Sequence, residues 1–390
     1  MQKFYIETLG CQMNVLDSEL AASALVRAGL LPTGVSADAD IILFNTCSVR
    51  QHAEDKVYSA LGRLKNWKEE KPHAILGILG CMAQKDQRGI FQRAPHVDFV
   101  LGPGRLDILV ETIEQLRGEK KRPAKTVCVS LPRTENNSIE VLESFRQYNP
   151  ERMAGSPTSS DAPSLVRITF GCDQFCSYCV VPFVRGPEQS RPPQDIADEV
   201  QHLAEQGVTK ITLIGQTVNS YQYRQTRLAD LLYQLSGIAG MEQIDFVTNY
   251  PLGIDDHLLQ AVRDLPQVSK HLHIPAQSGS DIILKRMNRH YTAAQYREMT
   301  DRIYSTIPGA TMTSDFIVGF CGETEEDFEQ TVDLVKYCRF RNSFIFKYSE
   351  RAGTKAAELY ADDVPEEVKK YRNHRLLEIQ VEISRQLAGG

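Results

Sequence analysis

Six of the nine cysteines in this chain fall into two sets whose spacing suits metal chemistry. The loop set forms one Cys-x3-Cys-x2-Cys run and comprises Cys172, Cys176 and Cys179. The dispersed set has one cysteine in each of three similar segments near the N-terminus and comprises Cys11, Cys47 and Cys81. The cytosol keeps thiols reduced, so patterned cysteines in a chain without a secretion signal indicate metal or redox chemistry rather than structural disulfides.

The loop set has the spacing of a partly ligated iron–sulfur cluster. Three thiolates on a tight loop can hold three irons of a cubane and leave the fourth iron without a protein ligand. Such an open iron can bind a substrate or cofactor directly, whereas a fully ligated cluster only passes electrons. Zinc is the alternative, although zinc sites usually show paired Cys-x2-Cys and a fourth Cys or His nearby.

The dispersed set requires a sheet that brings distant residues together. Apolar, β-forming runs at 3–8, 41–44 and 74–79 each end in one of these cysteines, and a helical pattern follows each run. One strand and one helix fit into each interval between the cysteines, which predicts a parallel sheet. Because parallel strands end along one edge, the three thiols should converge there and suit a soft metal centre. Three unrelated buried thiols are the alternative.

The second half of the chain predicts an α/β barrel. Six strands alternate with helices, from 165–170 to 343–347, as in a partial TIM-like (β/α)6 barrel. We therefore expect an N-terminal parallel-sheet α/β domain over 1–117, a linker over 118–163 and the barrel over 164–388. The loop set follows the first barrel strand, at the end where barrels place their sites.

Polar loops follow the other barrel strands. Gln216 and Asn219 come after the second strand, and Gln277 comes after the fourth. These positions suit cofactor contacts, and turn formation is the alternative role for each of them.

The charge composition limits how the chain can bind RNA. Lys and Arg number 44 against 50 Asp and Glu, a net charge of −6, so any RNA contact must be local. The basic run at 117–125 could meet phosphates or could be a solvated linker. No apolar stretch reaches the length of a membrane helix and the start lacks a signal-peptide pattern, so we expect a cytoplasmic location and no membrane.

Longer sequence motifs, given below as phrases, resemble those of one family. The loop set resembles the signature of the radical S-adenosylmethionine (SAM) superfamily, and the whole chain resembles the tRNA methylthiotransferases of the MiaB type. The phrases are GCQMN (10–14), NTCSVR (45–50), GCMAQ (80–84), GCDQFCSYC (171–179), VVPFVRG (180–186), SRP (190–192), IPAQSGSD (274–281), MNRHYT (287–292), and DFIVGF with GET (315–324).

The resemblance implies a specific reaction. Family members add a methylthio group to C2 of N6-isopentenyladenosine at position 37 of tRNA, using SAM and two [4Fe–4S] clusters, one on each cysteine set. It also implies that Tyr178 lies against the SAM adenine, with Gln216, Asn219 and Gln277 as weaker candidates for the SAM pocket. The expected partners are tRNA and a flavodoxin-like or ferredoxin-like electron donor; we expect a monomer, and the sulfur donor is unknown.

Three other functions remain open, two of them enzymatic. Sister families modify a ribosomal protein aspartate or threonylcarbamoyl-adenosine in tRNA, but Gln12, Met13 and Asn14 after the first cysteine fit the isopentenyladenosine group. A two-cluster electron carrier is the non-enzyme alternative, and it needs neither an open iron nor a barrel.

The chain also departs from the family pattern. Cys321 stands where the family usually has proline, and we expect it, Cys128 and Cys338 to be ordinary thiols. Family members usually continue into a C-terminal RNA-binding β domain, which we expect to be absent here.

Overall fold

The N-terminal part of the chain forms one parallel sheet with helices packed against it. The computed structural model describes residues 2–48, 51–118, 125–129 and 162–389. Its first sheet has six parallel strands in the order β2-β1-β3-β4-β5-β6. They are β1 Lys3–Leu9, β2 Leu31–Pro32, β3 Ile41–Thr46, β4 Ile75–Gly80, β5 Phe99–Leu101 and β6 Thr126–Cys128. The helices are α1 Gln12–Arg27, α2 Gln51–Glu70, α3 Cys81–Asp86, α4 Gly89–Arg93 and α5 Leu109–Gly118.

Strands β3 and β4 form the centre of this sheet because both of their faces are apolar. Every residue of the two strands is buried, as expected for a parallel sheet covered on both sides. On one face Phe44 and Ile78 pack against Val57 and Leu61 of α2. This packing fixes the ends of the two strands, and therefore the residues that follow them.

Strand β6 extends the N-terminal sheet beyond residue 117. It pairs with β5, with Phe99 opposite Thr126 and Leu101 opposite Cys128. The strand therefore falls inside the region expected to be a linker, most of which lies outside the described residues, as does most of the basic run at 117–125. A three-residue strand beside that run is too short to show a periodic pattern.

The second part of the chain forms the expected barrel strands. Two three-stranded sheets have the orders β13-β10-β7 and β14-β15-β16. The Asn249 amide, after β13, donates to the carbonyl of His273 at the end of β14, at 3.0 Å. The strands are β7 Ser164–Arg167, β8 Thr169–Phe170, β9 Gln189–Ser190, β10 Lys210–Ile214, β11 Gln222–Tyr223, β12 Thr226–Arg227, β13 Gln243–Phe246, β14 His271–His273, β15 Thr311–Val318 and β16 Asn342–Lys347.

Helices separate the six strands of the two three-stranded sheets, as the alternating pattern predicts. They are α6 Val181–Val184, α7 Pro193–Glu205, α8 Leu228–Ser236, α9 Asp256–Asp264, α10 Asp281–Arg286, α11 Ala293–Thr306, α12 Glu325–Cys338, α13 Lys355–Leu359 and α14 Glu366–Ala388. The single strand predicted over 165–170 is divided into β7 and β8 at Ile168. Several helices carry side-chain caps; Thr324, for example, caps α12 by accepting from the amide of Asp327.

The chain divides into two compact units. The first comprises Met1–Leu165, Phe170–Asp173 and Val181–Arg191. The second comprises Val166–Thr169, Gln174–Val180 and Pro192–Gly390. Among the described residues, no helix combines the length and apolar character that crossing a membrane requires.

Candidate metal centres

The dispersed set lies at one edge of the N-terminal sheet. Cys11 follows β1 in an extended conformation and precedes α1. Cys47 follows β3, and its amide donates to the carbonyl of Leu9 at 3.0 Å, which continues the pairing of β1 and β3. Cys81 follows β4 and is the first residue of α3. The strand ends therefore bring together three cysteines from distant parts of the sequence.

The thiols of this set interact with one another. Cys47 makes a side-chain hydrogen bond to Cys11, and this bond, together with the nearby Arg185 cation, lowers the pKa of Cys11 to about 5 against the opposing effect of burial. Burial raises the pKa of Cys81, although Arg185 acts in the opposite direction. Cys47 and Cys81 are each 3% exposed, whereas Cys11 reaches the surface. One of the three thiols therefore loses its proton readily, as a metal ligand must.

Two fully buried asparagines hold the edge of the sheet in place. Asn14 donates through Nδ2 to Asn45 Oδ1 at 2.9 Å and to the carbonyl of Thr46 at 3.2 Å. Asn45 donates in return to the carbonyl of Asn14 at 2.9 Å. Asn14 Oδ1 also accepts from Cys11 Sγ at 3.3 Å. The amides thus connect the first turn of α1, which follows Cys11, to the end of β3, which precedes Cys47.

Glycines let the backbone pass close to these amides. A Cβ on Gly10 would lie 2.5 Å from Asn14 Oδ1. Gly80 has φ +90°, and a Cβ there would lie 2.6 Å from the carbonyl of Thr46. Side chains are excluded at both positions, which explains why glycine precedes Cys11 and Cys81.

A buried arginine also contacts the dispersed set. Arg185 follows α6, and its Nε donates to Cys81 Sγ at 3.2 Å. Its Nη2 donates to Asp17 Oδ2 at 2.9 Å, and both side chains are 2% exposed. Burial opposes the charge of Arg185, but the Cys81 thiolate and the Asp17 carboxylate outweigh it and raise its pKa. The spacing of the cysteines did not mark Arg185 or Asp17 as site residues, although Arg185 lies within the phrase VVPFVRG.

The donors suit a cluster of soft metal ions. Three thiols with a cationic hydrogen-bond donor beside them fit an anionic iron–sulfur cluster. The Nη1 of Arg185 is buried and has no hydrogen-bond partner among the described residues, so it can donate to a sulfide. In the described part of the chain, no three His, Cys, Asp or Glu side chains surround a single metal-ion position.

The loop set begins with a buried cysteine. Cys172 is 9% exposed, and its amide donates to the carbonyl of Gly186 at 3.2 Å. Gly171 before it has φ +71°, and a Cβ there would lie 2.6 Å from the carbonyl of Gly186. Glycine is therefore required before this cysteine as well.

Cys176 and Cys179 lie on a turn held against the barrel. The Cys179 amide donates to the carbonyl of Cys176 at 3.0 Å. Between them, Ser177 donates through its amide to the carbonyl of Met287 at 2.9 Å and through Oγ to that of Arg286 at 2.8 Å. The turn is thus fixed to the end of α10.

The side chain of Tyr178 packs beside the barrel core. Its ring meets that of Phe320 edge to face, with centroids 6.5 Å apart. Burial raises the pKa of its hydroxyl, and Cys176 contributes in the same direction. Its contact with the SAM adenine stays a prediction.

A second, partly buried arginine contacts the loop set. Arg289 donates from Nη1 to Cys176 Sγ at 3.3 Å and from Nε to the Tyr291 hydroxyl at 3.0 Å. Its guanidinium also lies 4.6 Å from the centre of the Tyr250 ring. Arg289 lies within the phrase MNRHYT, so the resemblance held a signal that the spacing of the cysteines did not.

The three amide residues differ in what they contact. Gln216 Oε1 is buried and finds no hydrogen-bond partner within the described ranges, which is compatible with a ligand contact. Asn219 donates to the carbonyl of Tyr250 and accepts from its amide, at 2.8 and 2.7 Å. Gln277 is 9% exposed with φ +68° and pairs through its backbone with β15. Asn219 and Gln277 thus have structural roles, and the SAM contacts of all three residues stay predictions.

The three remaining cysteines have the character of ordinary thiols. Burial raises the pKa of Cys128 and of Cys321, and raises that of Cys338 to about 12. Cys338 lies 3.5 Å from the hydroxyl of Thr300. High pKa values oppose thiolate formation.

Family models match both parts of the chain. The model described as "Uncharacterized protein family UPF0004" matches residues 3–102. The model of the radical SAM superfamily matches residues 166–335, which include the loop set and most of the barrel. The chain is therefore a radical SAM protein, a class that uses SAM and a [4Fe–4S] cluster.

Curated relatives define the family more narrowly. A tRNA-2-methylthio-N(6)-dimethylallyladenosine synthase of Rhodopirellula baltica is 51% identical over 98% of this chain and 80% of its own length. The protein of the same name from Pseudomonas fluorescens is 43% identical over 100% of this chain and 86% of its own length. The chain belongs to the family of tRNA-2-methylthio-N(6)-dimethylallyladenosine synthases.

Solved structures support the fold. The radical SAM methyltransferase TsrM from Kitasatospora setae, with cobalamin and a [4Fe-4S] cluster bound, has a TM-score of 0.64 at 14% identity. The match covers 91% of this chain and 77% of TsrM. The cobalamin-dependent SAM radical enzyme OxsB has a TM-score of 0.57 at 12% identity, covering 99% of this chain and 56% of OxsB. At these identities the likeness concerns the fold alone.

Proposed function

We propose that this chain adds a methylthio group to C2 of N6-isopentenyladenosine at position 37 of tRNA. The observation that carries the proposal is the convergence of the dispersed set at one sheet edge, in a chain that also contains the radical SAM loop. One set of cysteines would suffice for radical generation alone. A second thiol set gives a sulfur-transfer reaction a separate place for sulfur. The names of the relatives support the same substrate.

The dispersed set would hold an auxiliary [4Fe–4S] cluster. Its three thiolates leave one iron without a protein ligand, where sulfur for transfer could bind. Asn14 and Asn45 join the start of α1, next to Cys11, to the end of β3, next to Cys47. The lowered pKa of Cys11 favours the thiolate that an iron ligand must be.

The loop set would hold the second cluster and, through its open iron, SAM. When bound, that cluster and SAM together supply the 5′-deoxyadenosyl radical that removes hydrogen from C2. Ser177 anchors the turn that carries Cys176 and Cys179. Tyr178 and Gln216 are the residues we assign to the adenosyl end of SAM, because one supplies an aromatic ring and the other an unsatisfied amide oxygen.

A reducing partner is required by this chemistry, and we propose a flavodoxin-like or ferredoxin-like protein. The enzyme alternatives differ in substrate, namely a ribosomal protein aspartate or threonylcarbamoyl-adenosine in tRNA. The electron-carrier alternative predicts that neither SAM nor any substrate is consumed.

The test is an assay of the reconstituted full chain with isopentenylated tRNA, SAM and a reductant. We expect digested tRNA to contain 2-methylthio-N6-isopentenyladenosine by mass spectrometry, and 5′-deoxyadenosine to accumulate. Matched reactions contain tRNA without the isopentenyl group, tRNA with threonylcarbamoyl-adenosine, or ribosomal protein, and should give no methylthiolated product. Product from one of these alone would transfer the assignment to that sister activity.

Variants separate the two clusters in the same assay. A chain that lacks the loop set, with Cys172→Ala, Cys176→Ala and Cys179→Ala, should form neither product nor 5′-deoxyadenosine. A chain that lacks the dispersed set, with Cys11→Ala, Cys47→Ala and Cys81→Ala, should still cleave SAM but should not methylthiolate the tRNA. Unchanged methylthiolation without the dispersed set would contradict the proposal.

A further inference from the structure

The guanidinium of Arg185 contacts both a cysteine and a carboxylate. Nε donates to Cys81 Sγ at 3.2 Å, and Nη2 donates to Asp17 Oδ2 at 2.9 Å. The third nitrogen, Nη1, is buried, and the part of the chain that the structure describes offers it no hydrogen-bond partner. A buried guanidinium nitrogen without a partner costs free energy, which indicates a role beyond the ion pair.

The surroundings show which kind of partner Nη1 would meet. The thiols of Cys81 and Cys11 are the nearby sulfur groups, since both interact electrostatically with Arg185. A cluster held by these thiolates would place anionic sulfides beside the same guanidinium. Asp17, fully buried on α1, holds the arginine in place and balances its charge.

We propose that Arg185 is a positioning residue of the auxiliary cluster, donating hydrogen bonds to its sulfur atoms and raising its reduction potential, with Asp17 balancing the arginine charge. The inference rests on the proposed function, because it requires a cluster on the dispersed set. Hydrogen bonds to sulfur and nearby positive charge stabilise the reduced cluster, which carries the greater negative charge. Asp17 opposes this effect by bringing a negative charge close to the arginine.

The two members of the pair should therefore act in opposite directions. Arg185→Met removes the donors and the charge, so the midpoint potential of the auxiliary cluster should become more negative. Asp17→Asn keeps the size of the side chain and leaves the arginine unbalanced, so the potential should become more positive. Arg185→Lys keeps the charge but not the planar set of donors, so its potential should lie between those of the parent and Arg185→Met.

The measurement is a redox titration followed by EPR on reconstituted full-length chains that lack the loop set. The auxiliary cluster is then the source of the signal. Iron content and circular dichroism are recorded for each variant. Iron loss from a folded Arg185→Met chain supports the proposal, and if that chain does not fold, Arg185→Lys and Asp17→Asn provide the test.

A buried ion pair elsewhere in the same unit is the matched control. Lys68, at the end of α2, pairs with Asp98, which precedes β5. Asp98 also accepts from the amide of Leu76 near the start of β4, at the strand edge opposite the cysteines. Lys68→Met should destabilise the fold without changing the potential.

The outcomes separate this inference from the proposed function. Potentials that do not change, or that move in the same direction in Arg185→Met and Asp17→Asn, would overturn the role of Arg185 and leave the cluster in place. A parent chain that binds no iron once the loop set is removed would overturn both proposals.

Discussion

At the scale of single residues, Arg185 gives Cys81 a cationic neighbour and Asp17 gives that cation a counter-charge. Arg185 lies 104 positions from Cys81 and 168 from Asp17, and no local pattern connects these three. Only the fold brings a guanidinium to the thiols.

A buried carboxyl in the barrel unit shows how such surroundings affect stability. Glu323 accepts from the amide of Gly319 at 2.6 Å and from Arg372 at 2.9 Å. Burial raises its pKa to about 7 despite both donors. The folded chain therefore keeps a proton on Glu323 at a pH at which the unfolded chain has lost it.

We expect the stability contributed by Glu323 to fall as pH rises between about 4.5 and 7. The folded state binds more protons than the unfolded state in this window, and the full loss is on the order of 3 kcal/mol. Glu323→Gln should remove this part of the pH dependence. Urea denaturation of both chains at pH 5 and pH 8 measures it.

The control is Glu358→Gln, which removes a carboxylate from the exposed face of α13. Glu358→Gln should leave the difference in the free energy of unfolding between pH 5 and pH 8 as it is in the parent. An equal pH dependence in the parent and in Glu323→Gln would show that Glu323 is ionised in the folded chain throughout this range.

At the scale of elements, apolar runs predict the long strands and miss the short ones. The strands before Cys11, Cys47 and Cys81 were predicted because each is a continuous β-forming run. Strands β2, β5 and β6 have two or three residues, and pairing with neighbours rather than any periodic pattern defines them. The division of the first barrel strand at Ile168 was missed for the same reason.

The turn between β4 and α3 gives a prediction at this scale. Gly80→Ala would force a side chain into φ +90° and against the carbonyl of Thr46. We expect the free energy of unfolding to fall by about 1–3 kcal/mol or more. Iron bound by the dispersed set should fall while iron on the loop set remains, because the change displaces Cys81.

Gly62 provides the matched glycine control. It lies inside α2, is exposed, and has no neighbouring atom within 4 Å of an added Cβ. Gly62→Ala should therefore stabilise the chain by about 1 kcal/mol and leave iron content unchanged. Denaturant unfolding and iron analysis measure both variants. Normal iron on the dispersed set in Gly80→Ala would show that the turn does not position Cys81.

At the scale of the whole molecule, one chain contains a parallel sheet, a partial barrel and two sets of cysteines that could each hold a cluster. The sequence predicted this organisation because both fold types repeat a strand and a helix, and because the cysteines follow strands. It could not place β6, which lies in the region expected to be a linker. The central claim is that the two cysteine sets hold two independent clusters.

Iron and sulfide content after anaerobic reconstitution tests that claim most directly. The parent chain should bind about eight irons, and chains lacking either the loop set or the dispersed set should each bind about four. About four irons in the parent, falling to none without the loop set, would mean that Cys11, Cys47 and Cys81 hold no cluster. That result would leave a radical SAM protein but would contradict the proposed methylthiolation.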